Sequence, residues 1–253
     1  MIYDLQKASM WKRISAFLFD AILLGIVAVL CAFLLSVITG FDGFYTTLEE
    51  SYARYEIEFG VKFDMTMAEY ESLSEEGLAR LDEAYQALSA DRAAVHSYNM
   101  VIQLTLLITT IGIFMGFLLM EFVIPLLFGN GQTLGKKIFG LGVMRTEGIK
   151  VNAVCLFIRA VLGKYTIETM VPVLLLIMIF SGTIGIVGPV VIMLIMLLNL
   201  ILMIATRTNS PIHDLLANTV TVDIGSQMIF DTKEDLIAYK EKAHMEKVKN
   251  TVY

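Results

Sequence analysis

Three polar side chains stand inside otherwise apolar stretches of this 253-residue chain: Asp20, Glu121 and Asn199. An ionisable group inside lipid is costly, so such residues face a bundle interior, pair with another charge or mark an ion path. Asp20 lies seven residues past Arg13, Glu121 seven before Phe128, and Asn199 seven before Thr206. If those flanking residues mark the inner helix ends, all three sit roughly 10 Å below one surface, at 1.5 Å per residue. Oxygen-bearing side chains from three helices at one depth can hold a small cation. Two neighbouring carboxylates there would share a proton, because like charges raise one pKa. Pro125 deprives the Glu121 carbonyl of its helical partner, and Pro172 does the same for Glu168. Freed carbonyls beside carboxylates are the parts of midplane ion sites. The chemistry expected of Asp20, Glu121 and Asn199 is therefore exchange of Na⁺, K⁺ or a similar ion against H⁺.

The same charges admit a structural reading. Arg13 and Asp20 share a helix face but stand about 10 Å apart along it, too far to pair well. Each then needs another partner: Asp20 can meet Arg159, and Arg13 can meet Asp214. Such links would pin an inner helix and a C-terminal strand beneath the spans, serving specificity of assembly rather than chemistry. His213, beside Asp214, can relay protons or act as a hydrogen-bonded cap.

The elements that would position these residues are membrane helices. Hydrophobic residues make up 57% of the chain and charged ones 17%, and the mean hydropathy is +0.70. Spans are expected at residues 14–39, 99–128, 166–180 and 183–206. The last two form one apolar run broken by Ser181-Gly182-Thr183-Ile184-Gly185, which reads as a hairpin; a single tilted helix with an interfacial segment is the alternative. Lys7, Lys12 and Arg13 precede the first span. Lys136, Lys137, Arg145, Lys150, Arg159 and Lys164 lie between the second and third, against Glu147 alone. Asp42 to Arg92 instead carries thirteen acids and four bases. The positive-inside rule then places both termini and the basic loop in the cytoplasm, and the acidic insertion outside.

The expected fold is an all-α membrane protein of about four spans with a small cytoplasmic β-element. Its pieces are the N-terminus and first span (1–40), an acidic extracytoplasmic helical hairpin (41–98), the second span (99–128) and a basic loop (129–165). The last two spans (166–206) and a cytoplasmic tail (207–253) follow. Within the loop, residues 140–151 read as a β-hairpin, with 218–223 able to add a strand, and 151–162 as an amphipathic interfacial helix. Residues 231–249 read as a polar helix capped by Asp231. Thr66 to Glu69 fits a capping box, and Gly112 with Gly116 permits close helix packing in the bundle or in a dimer.

Other signals exclude functions. The run Gly129 to Lys137 lacks the first glycine and the hydroxyl residue of a P-loop. No Ser-His-Asp, Cys-His or HExxH arrangement is present, so no enzyme is expected. Nothing calls for a cofactor or a nucleic acid, and Cys31 and Cys155 lie at different levels, unable to bridge.

Taken in order, several segments resemble the RDD family of small prokaryotic membrane proteins. They are Trp11-Lys12-Arg13-Ile14-Ser15-Ala16-Phe17-Leu18-Phe19-Asp20, then Gly131-Gln132-Thr133-Leu134-Gly135-Lys136-Lys137, Arg159, and His213-Asp214. The arginine and two aspartates that name the family fall on Arg13, Asp20 and Asp214. The resemblance implies a polytopic protein of the bacterial inner membrane with a suspected transport role; the long acidic insertion departs from it. Two functions are expected on this footing. One is a transporter of small cations or solutes, acting in the bilayer as a homodimer or with a partner. The other is a non-transporting adaptor of another membrane protein.

Overall fold

A computed structural model describes residues 8–206 and 208–251 of the chain; Lys7, counted above among the inner bases, lies outside them. The first helix, α1 (Met10–Thr39), is almost wholly apolar. It ends at Gly40, whose left-handed φ of 67° turns the chain directly into α2 (Phe41–Phe59). Short α3 (Met67–Glu71) opens with the Thr66/Glu69 capping box, and α4 (Glu75–Ala90) opens on Ser74, which accepts the Gly77 N–H. The Asp91 carboxylate accepts the N–H groups of Ala93 and Ala94 and so starts α5 (Arg92–Phe128), which begins seven residues earlier than the apolar run alone indicates. After it come α6 (Leu134–Ile138), β1 (Leu141–Arg145), α7 (Ala153–Phe180), α8 (Val187–Ala205), α9 (Ile212–Leu216), β2 (Thr219–Asp223) and α10 (Lys233–Thr251).

Four of these helices, α1, α5, α7 and α8, are long and apolar enough to cross a bilayer. The chain is mostly helical and fits an all-α, multi-pass membrane protein. It forms two compact units, one of the residues up to Ala28 and from Phe114 onward, the other of Val29–Ile113. In the first unit a Cβ on Gly116 would stand 3.2 Å from that of Ala28; in the second, one on Gly112 would stand 3.0 Å from that of Ala32. Both glycines let α5 lie directly on the alanine face of α1.

Three local expectations are corrected. The inner amphipathic helix is not a separate element. Asn152 caps the Cys155 N–H at 2.8 Å, and nothing between Ala153 and Phe180 stops the helix, so α7 runs on into the third span. The hairpin strand after Gly148 supplies only isolated bridges, Lys150 to Met144 of β1 and Ile149 to Phe230, because Asn152 is already a helix cap. The main partner of β1 is β2, antiparallel from Leu141↔Asp223 to Arg145↔Thr219. Val220 and Val222 alternate inward there and bury Met144 between them. In the tail, Thr232 and not Asp231 caps α10, in a reciprocal arrangement with Asp235.

Helices α5 and α7, interrupted by Pro125 and Pro172, share one irregularity. In α5 residues Leu118–Val123 are π-helical, and in α7 Ile158–Met170 are. The Ile124 N–H bonds the Leu119 carbonyl, and that of Val171 bonds Thr166, each five residues back and immediately before a proline. Thr166 and Thr169 add hydroxyl bonds to the carbonyls of Val161 and Lys164, again five back. A π turn absorbs the missing proline donor by shifting the hydrogen-bond register.

Candidate functional site

Asp20 is buried on α1, at the start of α6. Its Oδ1 accepts the Gly135 N–H at 2.7 Å, and its Oδ2 accepts the Thr133 hydroxyl. A Cβ at Gly135 would meet the Ala16 carbonyl oxygen at 2.5 Å and Asp20 Cγ at 2.9 Å, so only glycine lets the backbone come this close. Thr133 is also the N-cap of α6. Its Oγ1 takes the Lys136 Nζ at 3.2 Å, and that ammonium stands 3.9 Å from Asp20 Oδ2. Burial, and next the neighbouring Lys164, pull Lys136 down to about 7, against the opposing pull of Glu121 and Asp20. Lys137, one residue on, faces elsewhere, 3.9 Å over the Phe128 ring.

A second knot forms around Asp214, which is fully shielded from solvent. Arg159 Nε donates to Oδ1 at 2.8 Å and Thr219 Oγ1 does so at 3.0 Å, while Arg13 stands 3.5 Å from Oδ2. Burial alone would raise the Asp214 carboxyl, but Arg159, His213 and Arg13 hold it well below the usual carboxylate range. His213 Nδ1 lies 2.9 Å from both Glu168 carboxylate oxygens, and its Nε2 lies 3.3 Å from Arg159. Burial pushes the His213 imidazole below its ordinary value, against the pull of Asp214 and Glu168. At Gly163 a Cβ would lie 2.5 Å from that of His213, so this glycine lets α9 sit on α7. Asn199 Oδ1 accepts the Ile212 N–H at 3.0 Å and so caps α9 from α8.

Glu121, in the π turn of α5, is buried and paired through Oε1 with Lys164 of α7; its Oε2 has no partner among the described residues. Neither does Arg159 Nη1. The three expected oxygens have separate partners: Asp20 holds the α6 loop, Glu121 holds Lys164, and Asn199 caps α9. The expected Asp20–Arg159 contact is replaced by Asp20 with Lys136 and Arg159 with Asp214. The reason is geometric: Gly135 admits the α6 backbone against Asp20, and the Gly135 N–H and Thr133 hydroxyl take its two carboxylate oxygens. Among the described residues no group of three or more His, Cys, Asp and Glu side chains is placed to hold a metal ion.

These pairs nevertheless converge. A cavity of about 460 Å³ in the first unit is lined by Arg13, Asp20 and Lys136 on one side and by Arg159, Lys164 and Glu168 on another. Asn199, His213 and Asp214 complete its polar wall. A model of the RDD family matches residues 7–218. The chain belongs to the RDD family. No curated protein and no solved structure matches it. In this RDD protein the Arg13, Asp20 and Asp214 side chains are separated along the sequence by up to 201 positions yet border one cavity. Sequence reasoning missed Thr133, Lys164 and Glu168 as participants. Only Pro172, four residues after Glu168, signalled an irregular turn there.

Proposed function

We propose that this RDD protein exchanges a small monovalent cation for a proton, with Asp20 and Lys136 as the exchanging pair. The observation that carries the reading is the place of the Lys136 ammonium, 3.2 Å from Thr133 Oγ1 and 3.9 Å from Asp20 Oδ2 at the edge of the cavity. An ammonium between a hydroxyl and a carboxylate occupies the position of a cation. When Lys136 releases its proton to cavity water, Asp20 is left with one uncompensated charge, and an incoming Na⁺, K⁺ or Li⁺ restores neutrality against Asp20 and Thr133. One proton leaves for each cation bound. The lysine, titrating near neutral pH, supplies that proton without a large energy step. Lys164, also on the wall, forms a second exchangeable pair with Glu121, which does not itself line the cavity. In this reading both termini and the β-element lie in the cytoplasm of a bacterial cell, and the acidic insertion lies outside. Four spans are few for a transporter, so a homodimer completes the pathway.

The test is purified protein in liposomes with a pH dye inside, given pulses of Na⁺, K⁺ or Li⁺. A dye response is expected in the wild type and is lost in Asp20→Asn and in Lys136→Met, each shown to be folded by circular dichroism. A response that survives Lys136→Met sinks the assignment. Silence toward every ion in the wild type favours a second reading, a non-transporting adaptor. What supports that reading is the Asp214 cluster, whose charges are consumed within the protein.

A further inference from the structure

The second unit carries a cleft that the cation-exchange reading does not use. Tyr52 of α2, Tyr85 of α4 and Tyr98 of α5 line it, over a floor that includes Leu48, Leu88 and Ser89, and its volume is about 210 Å³. The walls are set by contacts beneath them. Phe63 stands edge-on to Tyr52, with ring centroids 5.3 Å apart, and tilted against Tyr85 at 4.9 Å. The Phe63 N–H is held by Glu56 Oε1 at 2.7 Å, which fixes the bend that presents the ring. At the α4–α5 corner Asp91 binds Arg54 at 2.5 Å as well as the first N–H groups of α5. The three phenol hydroxyls make no hydrogen bond to another described residue, and the three tyrosines border the same cleft; burial and then the neighbouring Tyr98 and Tyr85 phenols push Tyr52 above its ordinary value.

Charge selects the occupant. The segment from Asp42 to Arg92 holds thirteen acids and four bases, so its field draws cations. Among the described residues no carboxylate lines the cleft itself, so a cation there would be held by the tyrosine rings rather than by a salt bridge. That favours a weakly hydrated, methylated ammonium over a metal ion or a primary amine. The unit already shows the interaction internally, with the Arg54 guanidinium 5.0 Å from the Tyr55 ring centroid.

We propose that this cleft binds an organic cation of the trimethylammonium class, either free in solution or as the headgroup of a choline lipid. The inference stands apart from ion exchange at Asp20 and survives its failure.

The experiment titrates choline chloride into full-length protein in a maltoside detergent by calorimetry, with the neutral isostere in which carbon replaces nitrogen as control. Saturable binding of choline and none of the isostere is expected. Tyr52→Leu and Tyr85→Leu should each weaken it about tenfold, and Tyr52→Phe, which keeps the ring, should stay within about threefold. Capture on phosphatidylcholine vesicles but not phosphatidylglycerol vesicles, without choline binding, assigns the headgroup as the source, and the same variants must then abolish capture. Equal binding of the isostere, unchanged binding in folded leucine variants, or no binding in either format overturns the proposal.

Discussion

Arg159 donates its Nε–H to Asp214 Oδ1 at 2.8 Å, with both side chains shut off from solvent. The same carboxylate faces Arg13 at 3.5 Å and accepts from Thr219, so one aspartate answers two guanidinium groups from two membrane helices. Breaking a buried pair from one side leaves an uncompensated charge, at a cost of about 3–5 kcal/mol. Asp214→Asn is therefore expected to lower the unfolding free energy of the detergent-solubilised protein by about that amount. The double variant Arg159→Met/Asp214→Leu should be less destabilised than the two single changes summed, which a double-mutant cycle measures. A loss below about 1 kcal/mol in Asp214→Asn, the scale of an exposed pair, would contradict this account.

Two glycines should respond oppositely to one methyl group. At Gly135 a Cβ meets the Ala16 carbonyl oxygen at 2.5 Å, and that backbone cannot yield without moving α1. Gly135→Ala is expected to cost about 1–3 kcal/mol and to pull Lys136 away from Asp20. At Gly43, inside α2, an added methyl would have nothing within 4 Å, and Gly43→Ala should stabilise the helix by about 0.5–1 kcal/mol. Thermal unfolding of the pair checks both signs together.

The Lys136 environment sets a pH dependence of stability. Its folded value, about 7, lies below the ordinary 10.5. Between these two values the unfolded chain binds a proton that the folded protein has released, so stability must rise with pH across that window. Below about 7 both states hold the proton and this contribution is flat. Unfolding measured between those two values should show the rise in wild type and a reduced slope in Lys136→Met. Equal slopes in the two proteins would mean that Lys136 keeps its ordinary proton affinity.

How much of this was readable in advance depends on the length scale of the cause. Long apolar runs and the glycine break at Ser181 to Gly185 are local, and they yield α8 and the C-terminal half of α7 directly. The capping box at Thr66 is equally local. The cavity wall on α7 is not. Arg159 and Glu168 are nine residues apart, which an α-helix at about 100° per residue sets on opposite faces. Hydrogen bonds to the fifth residue back instead stack Lys164 over Arg159 and swing Glu168 toward the same side. The helical period alone sets Arg159 on one surface and Lys164 with Glu168, four residues apart, on the other. The Asp20 contact is hidden for another reason, since Thr133 and Gly135 lie 113 and 115 residues away along the chain. Nothing local marks which loop will dock there.

The position of Asp214 in the chain has a consequence for biogenesis. Arg13 and Arg159 belong to the first and third membrane helices, whereas their common counter-ion follows the fourth. Synthesis proceeds from the N-terminus, so both arginines are made and inserted before their neutralising partner exists. Until α9 docks on Gly163 and Asn199, both guanidinium groups lack this counter-ion. A chain that stops short of Pro211 never supplies it. The last few residues of the family-matched region thus close a charge balance opened 201 residues earlier.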